Sequence, residues 1–420
     1  MPSLRFGNWT PASIRKHLSG QESQSLAELC QMTMDSDGEY SSLLLAERIL
    51  NAFEQLDDKA ALTFFELLNN EYDLNVEQLK QLMADYEKNP NADQLDQLVV
   101  AAQPRRQELL RRINLAPEGT RRLVKVRERL LKFKRNQPEL KRTDNDFRHL
   151  FSAWFNRGFL LMQPIDWTTP AHILEKIIAY EAVHEIGTWS ELRSRLEPDD
   201  RHCYAFFHPS MEDEPLVFVE VALTNHIPAN IDEILNIERE AVDPEEASCA
   251  IFYSISNCHS GLAGVSFGNF LIKQVATSLK SRFPQLKKFA TISPAPKFRS
   301  WMQSAAIENP KIASVVEQCK QKPNEDVQNR LAQLAASYYL EQKTTDSEPL
   351  DPVARFHLKN GAILDRINPS ADYSEKGMQQ SFGLMVNYVY DLAKVEVNHE
   401  AYMKDHRIVC SSRIKKLLSV

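Results

Sequence analysis

The spacing of apolar residues changes near residue 160, and this change constrains the fold more than any other feature. Before it, apolar residues recur with helical period, as in Leu43–Leu50 followed by Phe53 and Leu56. Asn75, three residues before Gln78, resembles a capping box, and Thr120 is expected to cap a further helix. No β-rich run interrupts this part, which predicts an all-α helical bundle domain over residues 1–160.

Strand-like and helical runs alternate after residue 160. Mixed α/β patterning of this kind predicts a second domain over residues 161–420, so the expected fold class is α+β. The runs that read as strands are 216–223, 250–256, 289–292 and 357–364. The main helical runs between them are 269–282 and 325–341.

Three of the twelve glycines, Gly261, Gly264 and Gly268, fall between the strand-like run 250–256 and the helical run 269–282. Such clustering suggests a backbone that another group approaches closely. A helix beginning there presents unpaired N–H groups and a positive dipole end, which favour an anion and usually a phosphate. Because the chain carries a formal net charge of −7, such attraction must be local.

The stretch 105–142 is strongly basic, with 14 Lys or Arg against 4 Asp or Glu. It is interpreted either as a phosphate-binding face or as a solvated helix face or subunit contact. The second interpretation is favoured, because the basic residues share their period with an apolar stripe.

Several side chains outside the glycine segment are candidates for chemistry. Ser293 follows a strand-like run, where ligands often bind in α/β sheets, although Ser-Pro also begins turns. His357 is expected on a strand, and it can serve in proton transfer or be structural. His208 and Ser210 fit a hairpin connection, and His259 fits either a phosphate neighbour or an exposed residue.

Other site types are excluded or disfavoured. The sequence has no G-x-S-x-G elbow, P-loop or H-E-x-x-H motif, and its glycine spacing does not fit a dinucleotide fingerprint. Six scattered cysteines indicate free thiols rather than a zinc site or disulfides. The negative charge, the missing long apolar run and the missing signal-peptide core predict a cytoplasmic protein that binds neither nucleic acid nor membrane.

Longer strings of residues resemble the malonyl-CoA decarboxylase family. The resemblance is collinear from about Trp167 to Tyr390. The strings are 206–210 (Phe-Phe-His-Pro-Ser), 214–224, 250–256, 264–273, Ser-Pro-x-Pro at 293–296, Phe-His-Leu-x-Asn-Gly-Ala at 356–362 and Gly-Leu-Met-x-Asn-Tyr-x-Tyr at 383–390.

The resemblance implies a helical domain followed by a catalytic domain of the GCN5-related acetyltransferase fold. It implies conversion of malonyl-CoA to acetyl-CoA and CO₂ without a metal, biotin or other prosthetic group, by a homo-oligomer (dimer or tetramer). It places the catalytic pair on Ser293 and His357, with Tyr390 in support. The implied CoA-binding loop consists of Ala263, Gly264, Val265, Ser266, Phe267, Gly268 and Asn269.

One position departs from the family pattern. Animal members carry a glutamate in the glycine loop where this chain has Ser266, so a carboxylate from that position is not expected to orient the histidine.

The implied chemistry fits these residues. Loss of CO₂ from a malonyl thioester leaves an enolate, which hydrogen-bond donors stabilise and which must take a proton at C2. His357 is expected to donate that proton with Ser293 as its hydrogen-bonding partner, and which of the two contacts the carboxylate stays open. The alternatives are a CoA-dependent acyltransferase on the same fold and a non-catalytic acyl-CoA-binding protein.

Overall fold

In the computed structural model the chain divides into two compact units. The described residues are 25–265, 270–320 and 323–418. The first unit contains the described residues up to 159 together with 209–212 and 259–265. The second contains 160–208, 213–258 and the described residues from 270 onward.

The first unit is built from helices. Asn75, predicted to begin a helix, caps one by accepting a hydrogen bond from the Gln78 N–H. Ser25 forms a capping box with Glu28 that was not predicted. Thr120 was predicted to be a cap and this is wrong: its helix begins at Gly119, and its hydroxyl bonds Asn114 instead. The helices are Leu26–Asp35, Glu39–Glu54, Asp58–Asn70, Val76–Lys88, Ala92–Ala101, Arg105–Ile113, Gly119–Lys134 and Lys141–Trp154.

The second unit is built on one mixed sheet, which confirms the predicted α+β fold class. Its order is β1-β2-β3-β4-β5-β8-β6, with β7 also paired to β8, and β4–β5 is the parallel pair. The strands are β1 Leu161–Ile165, β2 Arg201–Phe207, β3 Val217–Thr224, β4 Cys249–Asn257, β5 Lys288–Thr291, β6 Ser293–Pro294, β7 Ile363–Asn368 and β8 Met385–Tyr390.

Helices cover this sheet, and two of them confirm the predicted runs at 269–282 and 325–341. Described helices of the second unit are Ala171–Tyr180, Trp189–Leu196, Asp232–Leu235, Phe270–Arg282, Phe298–Ala305, Pro310–Gln318, Glu325–Leu340, Pro352–Lys359, Glu375–Ser381, Val395–Asp405 and Ser412–Leu418. None of the helices in the described ranges combines the length and apolar character that crossing a bilayer requires.

The prediction of a strand at 357–364 is wrong in its first part, because His357 lies in the helix Pro352–Lys359. Asp351 caps that helix by accepting hydrogen bonds from the N–H groups of its first turn, and Pro352 occupies its first position. Gly361, at φ +78°, ends it: the Gly361 N–H donates to the Leu358 carbonyl and the Ala362 N–H donates to the His357 carbonyl. Strand β7 begins only at Ile363.

The closing glycine of the His357 helix generates a stability prediction. A Cβ at Gly361 would lie 2.1 Å from the carbonyl oxygen of Val395, at a φ that side chains rarely adopt. We expect Gly361→Ala to lower the free energy of unfolding by about 2 kcal/mol or more. Thermal unfolding measures this, with Gly187→Ala as the control because its added Cβ meets only ordinary contacts at 3.7 Å. Equal melting temperatures for the two variants would contradict the prediction.

Candidate active site

The candidate site stands on one face of the sheet, where β5 and β6 pair with successive parts of β8. Phe289 lies opposite Tyr390, and Ser293 lies opposite Val386. The two pairings share one register, so β5 and β6 act as a single strand interrupted near Ile292. Because side chains alternate along a strand, Thr291 and Ser293 share a face with Tyr388 and Tyr390.

The Ser293 hydroxyl is held by Thr291. It donates a hydrogen bond to the Thr291 Oγ1 at 2.9 Å, and the backbone N–H of Tyr388 donates to the same oxygen at 3.2 Å. The Thr291 carbonyl accepts from the side-chain amide of Asn387 at 2.8 Å. Thr291 is therefore fixed by β8, and it fixes the direction of the Ser293 O–H bond.

The His357 ring joins Ser293 to Tyr390. Its Nε2 lies 3.1 Å from the Ser293 Oγ, and its Nδ1 lies 2.8 Å from the Tyr390 hydroxyl. The ring also stacks on Tyr388, with centroids 4.6 Å apart and planes inclined by 26°. The structure thus brings together all three residues that the sequence predicts as catalytic.

The direction of these bonds defines the form of the histidine. Because the Ser293 hydrogen is donated to Thr291, the Ser293 oxygen accepts from His357, which places a hydrogen on Nε2. In a neutral imidazole the other nitrogen is then an acceptor, and the Tyr390 O–H donates to it. The result is a continuous chain of hydrogen bonds from Tyr390 through His357 and Ser293 to Thr291.

The residues of this chain of hydrogen bonds are shielded from solvent. Ser293, His357 and Tyr390 expose only 5%, 3% and 4% of their surface. Burial disfavours the charged imidazolium and lowers the pKa of His357 from 6.5 to about 3. Burial likewise raises the pKa of Tyr390 well above its ordinary value. At neutral pH both groups carry their protons in uncharged form, ready for transfer.

Asp351 is a further buried group that positions the histidine. It is 1% exposed, and burial raises its pKa from 3.8 to about 6, although hydrogen bonds from backbone N–H groups oppose the rise. Those bonds hold the start of the helix that carries His357. Tyr338 donates a longer hydrogen bond to the same carboxylate, at 3.4 Å.

The described part of the predicted CoA-binding loop begins in a type II turn. Ala263 has φ −55° and ψ 130°, Gly264 has φ +75°, and the Val265 N–H bonds the Leu262 carbonyl at 3.0 Å. The third position of such a turn requires a positive φ, which explains Gly264. The other predicted loop residues, Ser266, Phe267, Gly268 and Asn269, lie outside the described residues.

Gly261 serves packing within the first unit rather than ligand access. A Cβ there would lie 2.1 Å from the carbonyl oxygen of Val124. The glycine cluster predicted that another group approaches the backbone closely. At Gly261 this is correct, but the group is the backbone of a helix in the same unit.

The remaining candidates lie apart from this chain of hydrogen bonds. His208 and Ser210 lie in the connection between β2 and β3, as expected, and His259 precedes the short 3-10 turn Ser260–Leu262. Within the described ranges, no group of three or more His, Cys, Asp or Glu side chains is arranged to hold a metal ion. All six cysteines are free thiols, as predicted.

Sequence reasoning missed Thr291, Tyr388 and Asp351. Thr291 could have been predicted from the sequence, because residues two apart on a strand lie on the same face and Thr291 precedes Ser293 by two. Asp351 followed by Pro352 is a standard helix start, but the strand predicted from 357 onward left no helix there. Tyr388 needs the register of β8, which the sequence does not provide.

The chain of hydrogen bonds generates a spectroscopic prediction. In protein labelled with ¹⁵N-histidine, His357 should appear at pH 7 as the neutral form protonated on Nε2. Because its pKa is lowered to about 3, the neutral form should persist to pH 5. The His357→Asn variant assigns the signal by its loss, and a resonance that moves toward imidazolium between pH 7 and 6 would contradict the prediction.

Comparison with known proteins gives consistent matches along most of the chain. Residues 72–155 match the family model for the malonyl-CoA decarboxylase N-terminal domain, and residues 158–420 match that for the C-terminal domain. Mitochondrial malonyl-CoA decarboxylase of Mus musculus is 36% identical over 362 residues, covering 77% of this chain and 73% of the relative.

Solved structures of malonyl-CoA decarboxylases are similar to this chain along most of its length. The malonyl-CoA decarboxylase of Rhodopseudomonas palustris is 46% identical and superimposes with a TM-score of 0.88, covering 93% of this chain and 98% of that one. The enzyme of Cupriavidus metallidurans is 33% identical, with a TM-score of 0.72 and coverage of 94% and 98%.

Proposed function

Because the chain belongs to the malonyl-CoA decarboxylase family, we propose that it converts malonyl-CoA to acetyl-CoA and CO₂ at Ser293, His357 and Tyr390. The observation that supports these residues best is the series of hydrogen bonds Tyr390–His357–Ser293, whose three side chains are buried. CoA is part of the substrate, and the reaction needs no metal or prosthetic group in this proposal.

Decarboxylation begins when the bond between C2 and the carboxylate carbon breaks. CO₂ leaves, and the bonding electrons pass into the thioester enolate, whose oxygen gains negative charge. A pocket that excludes water and offers oriented donors stabilises this charge more strongly than bulk water does. We propose the Ser293 hydroxyl and the His357 Nε2–H as these donors. In the structure they bond Thr291 Oγ1 and Ser293 Oγ, and on substrate binding they exchange these bonds for bonds to the substrate.

The enolate carbon then receives a proton. We assign its delivery to the His357 Nε2–H, while the Tyr390 hydroxyl proton passes to Nδ1. The imidazole therefore stays neutral throughout, which the low pKa of His357 requires. The Nδ1 proton then returns to Tyr390 while Nε2 takes a proton from solvent. This restores both groups, and one proton is consumed for each CO₂ released.

The catalytic assignment is tested by substitution. We expect Ser293→Ala and His357→Asn each to lower kcat at least about 100-fold, since the first removes a donor to the enolate oxygen and the second removes the proton donor. Tyr390→Phe should cost about tenfold, because the donor to Nδ1 is lost but the Nε2–H remains. Acetyl-CoA formation from malonyl-CoA measures these rates.

Matched controls are Ser304→Ala and His226→Asn, which change exposed residues outside the hydrogen-bonded chain. Chelation with EDTA should leave the wild-type rate unchanged. Wild-type turnover in both the Ser293 and His357 variants would refute the assignment. Turnover that requires an added amine acceptor, or CoA binding without turnover, would favour the two alternative functions.

We also propose that the protein is a homo-oligomer, and that the helices Val76–Lys88 and Ala92–Ala101 take part in its assembly. Neither helix contains a buried residue in the described structure. Several of their large apolar side chains are exposed, which favours contact with another copy of the chain. These exposed residues are Val76, Met83, Leu95, Val99 and Val100.

The double substitution Val99→Asp and Val100→Asp should shift the mass in solution toward the monomer, because charge at an apolar contact opposes association. Light scattering coupled to size exclusion measures this. Ile307→Asp is the control, since Ile307 is 86% exposed and lies outside these helices. A monomeric wild type, or an unchanged oligomer in the double variant, would contradict the proposal.

The proposed location is the cytoplasm. Six free thiols fit a reducing compartment. The curated relative from Mus musculus is named as mitochondrial, so localisation of the tagged protein tests this point.

A further inference from the structure

The first unit holds the turn Leu262–Val265 through Arg127, a buried residue of the helix Gly119–Lys134. The Arg127 side chain is 1% exposed and donates to the carbonyls of Gly261 at 2.6 Å and Ala263 at 2.8 Å. Its Nε donates to Asp144 at 2.8 Å. Gly261 also lies against the carbonyl of Val124, so two residues of the helix Gly119–Lys134 fix the position of the turn.

A second arginine, Arg148 of the helix Lys141–Trp154, lies beside the same turn. The atoms nearest to a Cβ built on Gly264 are the Nε, Cζ and Cδ of Arg148, at 3.4, 3.7 and 3.9 Å. Arg148 is exposed. In the described part of the chain its guanidinium makes no hydrogen bond or ion pair.

Among the described residues, Arg148 has no carboxylate as an ion-pair partner. Asp144 precedes it by four residues, a spacing that normally pairs opposite charges on a helix. Both Asp144 oxygens are already used, one by Arg127 and the other by Lys134 at 2.5 Å. Arg127, Lys134 and Arg148 thus face a single carboxylate, which leaves an excess of positive charge beside the turn.

The electrostatics of Arg127 agree with this arrangement. Burial lowers its pKa, the Asp144 carboxylate opposes that effect, and the nearby positive charge of Arg148 lowers it further. An anion bound at Arg148 would relieve this repulsion between the two guanidinium groups.

We propose that Arg148, beside the turn Leu262–Val265 of the same unit, binds a phosphate group of coenzyme A. A guanidinium matches phosphate oxygens with two parallel donors, and at a solvent-accessible position it needs no protein partner. This inference rests on the proposed function for its ligand. Arg127 acts as a positioning residue, because it bonds the turn and not the ligand.

Coenzyme A offers two phosphate sources, the diphosphate bridge and the 3′-phosphate. Binding of CoA, 3′-dephospho-CoA and pantetheine to the purified full chain can be measured by calorimetry in wild type, Arg148→Gln and Arg142→Gln. Arg142 is the matched control because it lies on the same helix and is already paired with Asp73 at 2.7 Å.

Arg148→Gln should weaken CoA binding at least about tenfold, as expected for loss of a charge-assisted contact, and Arg142→Gln should not. If the loss is as large with 3′-dephospho-CoA, the contact is to the diphosphate; if it vanishes, the contact is to the 3′-phosphate. KM for malonyl-CoA should rise with little change in kcat. The effect should be much smaller for malonyl-pantetheine, which carries no phosphate.

An Arg148→Gln variant that binds CoA within twofold of the wild type would overturn the inference, whatever the enzyme's activity. A wild type that binds CoA but does not decarboxylate malonyl-CoA would refute the proposed function. The binding comparison would still decide the role of Arg148 in that case, so the two failures are distinguishable.

Discussion

The pairing of β8 with the interrupted strand β5/β6 is the constraint on which the candidate site depends. It places Ser293 opposite Val386 and Phe289 opposite Tyr390 in one register. A slip of one residue would turn Tyr388 and Tyr390 to the opposite face and remove both from the histidine. The register of β8 is further stabilised by its hydrogen bonds to β7, which pairs with it on the other side.

Burial of the site keeps His357 in its neutral form. With its pKa lowered to about 3, His357 is not an imidazolium that waits to give up a proton. In the proposed mechanism it is a neutral donor whose lost proton is replaced from Tyr390. Its orientation is set by stacking on Tyr388 and by the helix that Asp351 caps. Each supporting contact serves to keep Nε2 directed at Ser293.

The sequence predicted much of the fold because local signals were strong. Alternating apolar runs located β3, β4 and β5, and the helical runs at 269–282 and 325–341 were also correct. The catalytic assignment of Ser293, His357 and Tyr390 came from family resemblance, and the structure shows only that the three residues meet. Spacing alone relates none of them, because they lie on separate elements.

Other features depended on tertiary structure. His357 was placed on a strand because the run that follows it is apolar, whereas the capping signals on both sides specify a short helix. Gly261 and Gly264 were read as a ligand cradle, but one accommodates a helix carbonyl and the other a type II turn. The role of each glycine depends on which backbone segment packs against it in the folded protein. A single sequence does not contain that information.

Turnover of malonyl-CoA in D₂O tests the central claim most directly. The purified protein, given malonyl-CoA with no acceptor or added metal, should release equal amounts of CO₂ and acetyl-CoA. Mass spectrometry should find one solvent-derived deuterium at C2 of the product, because the enolate is protonated from the Tyr390–His357 relay in exchange with solvent. Absence of turnover, or transfer of an intact malonyl group to an acceptor, would contradict the account.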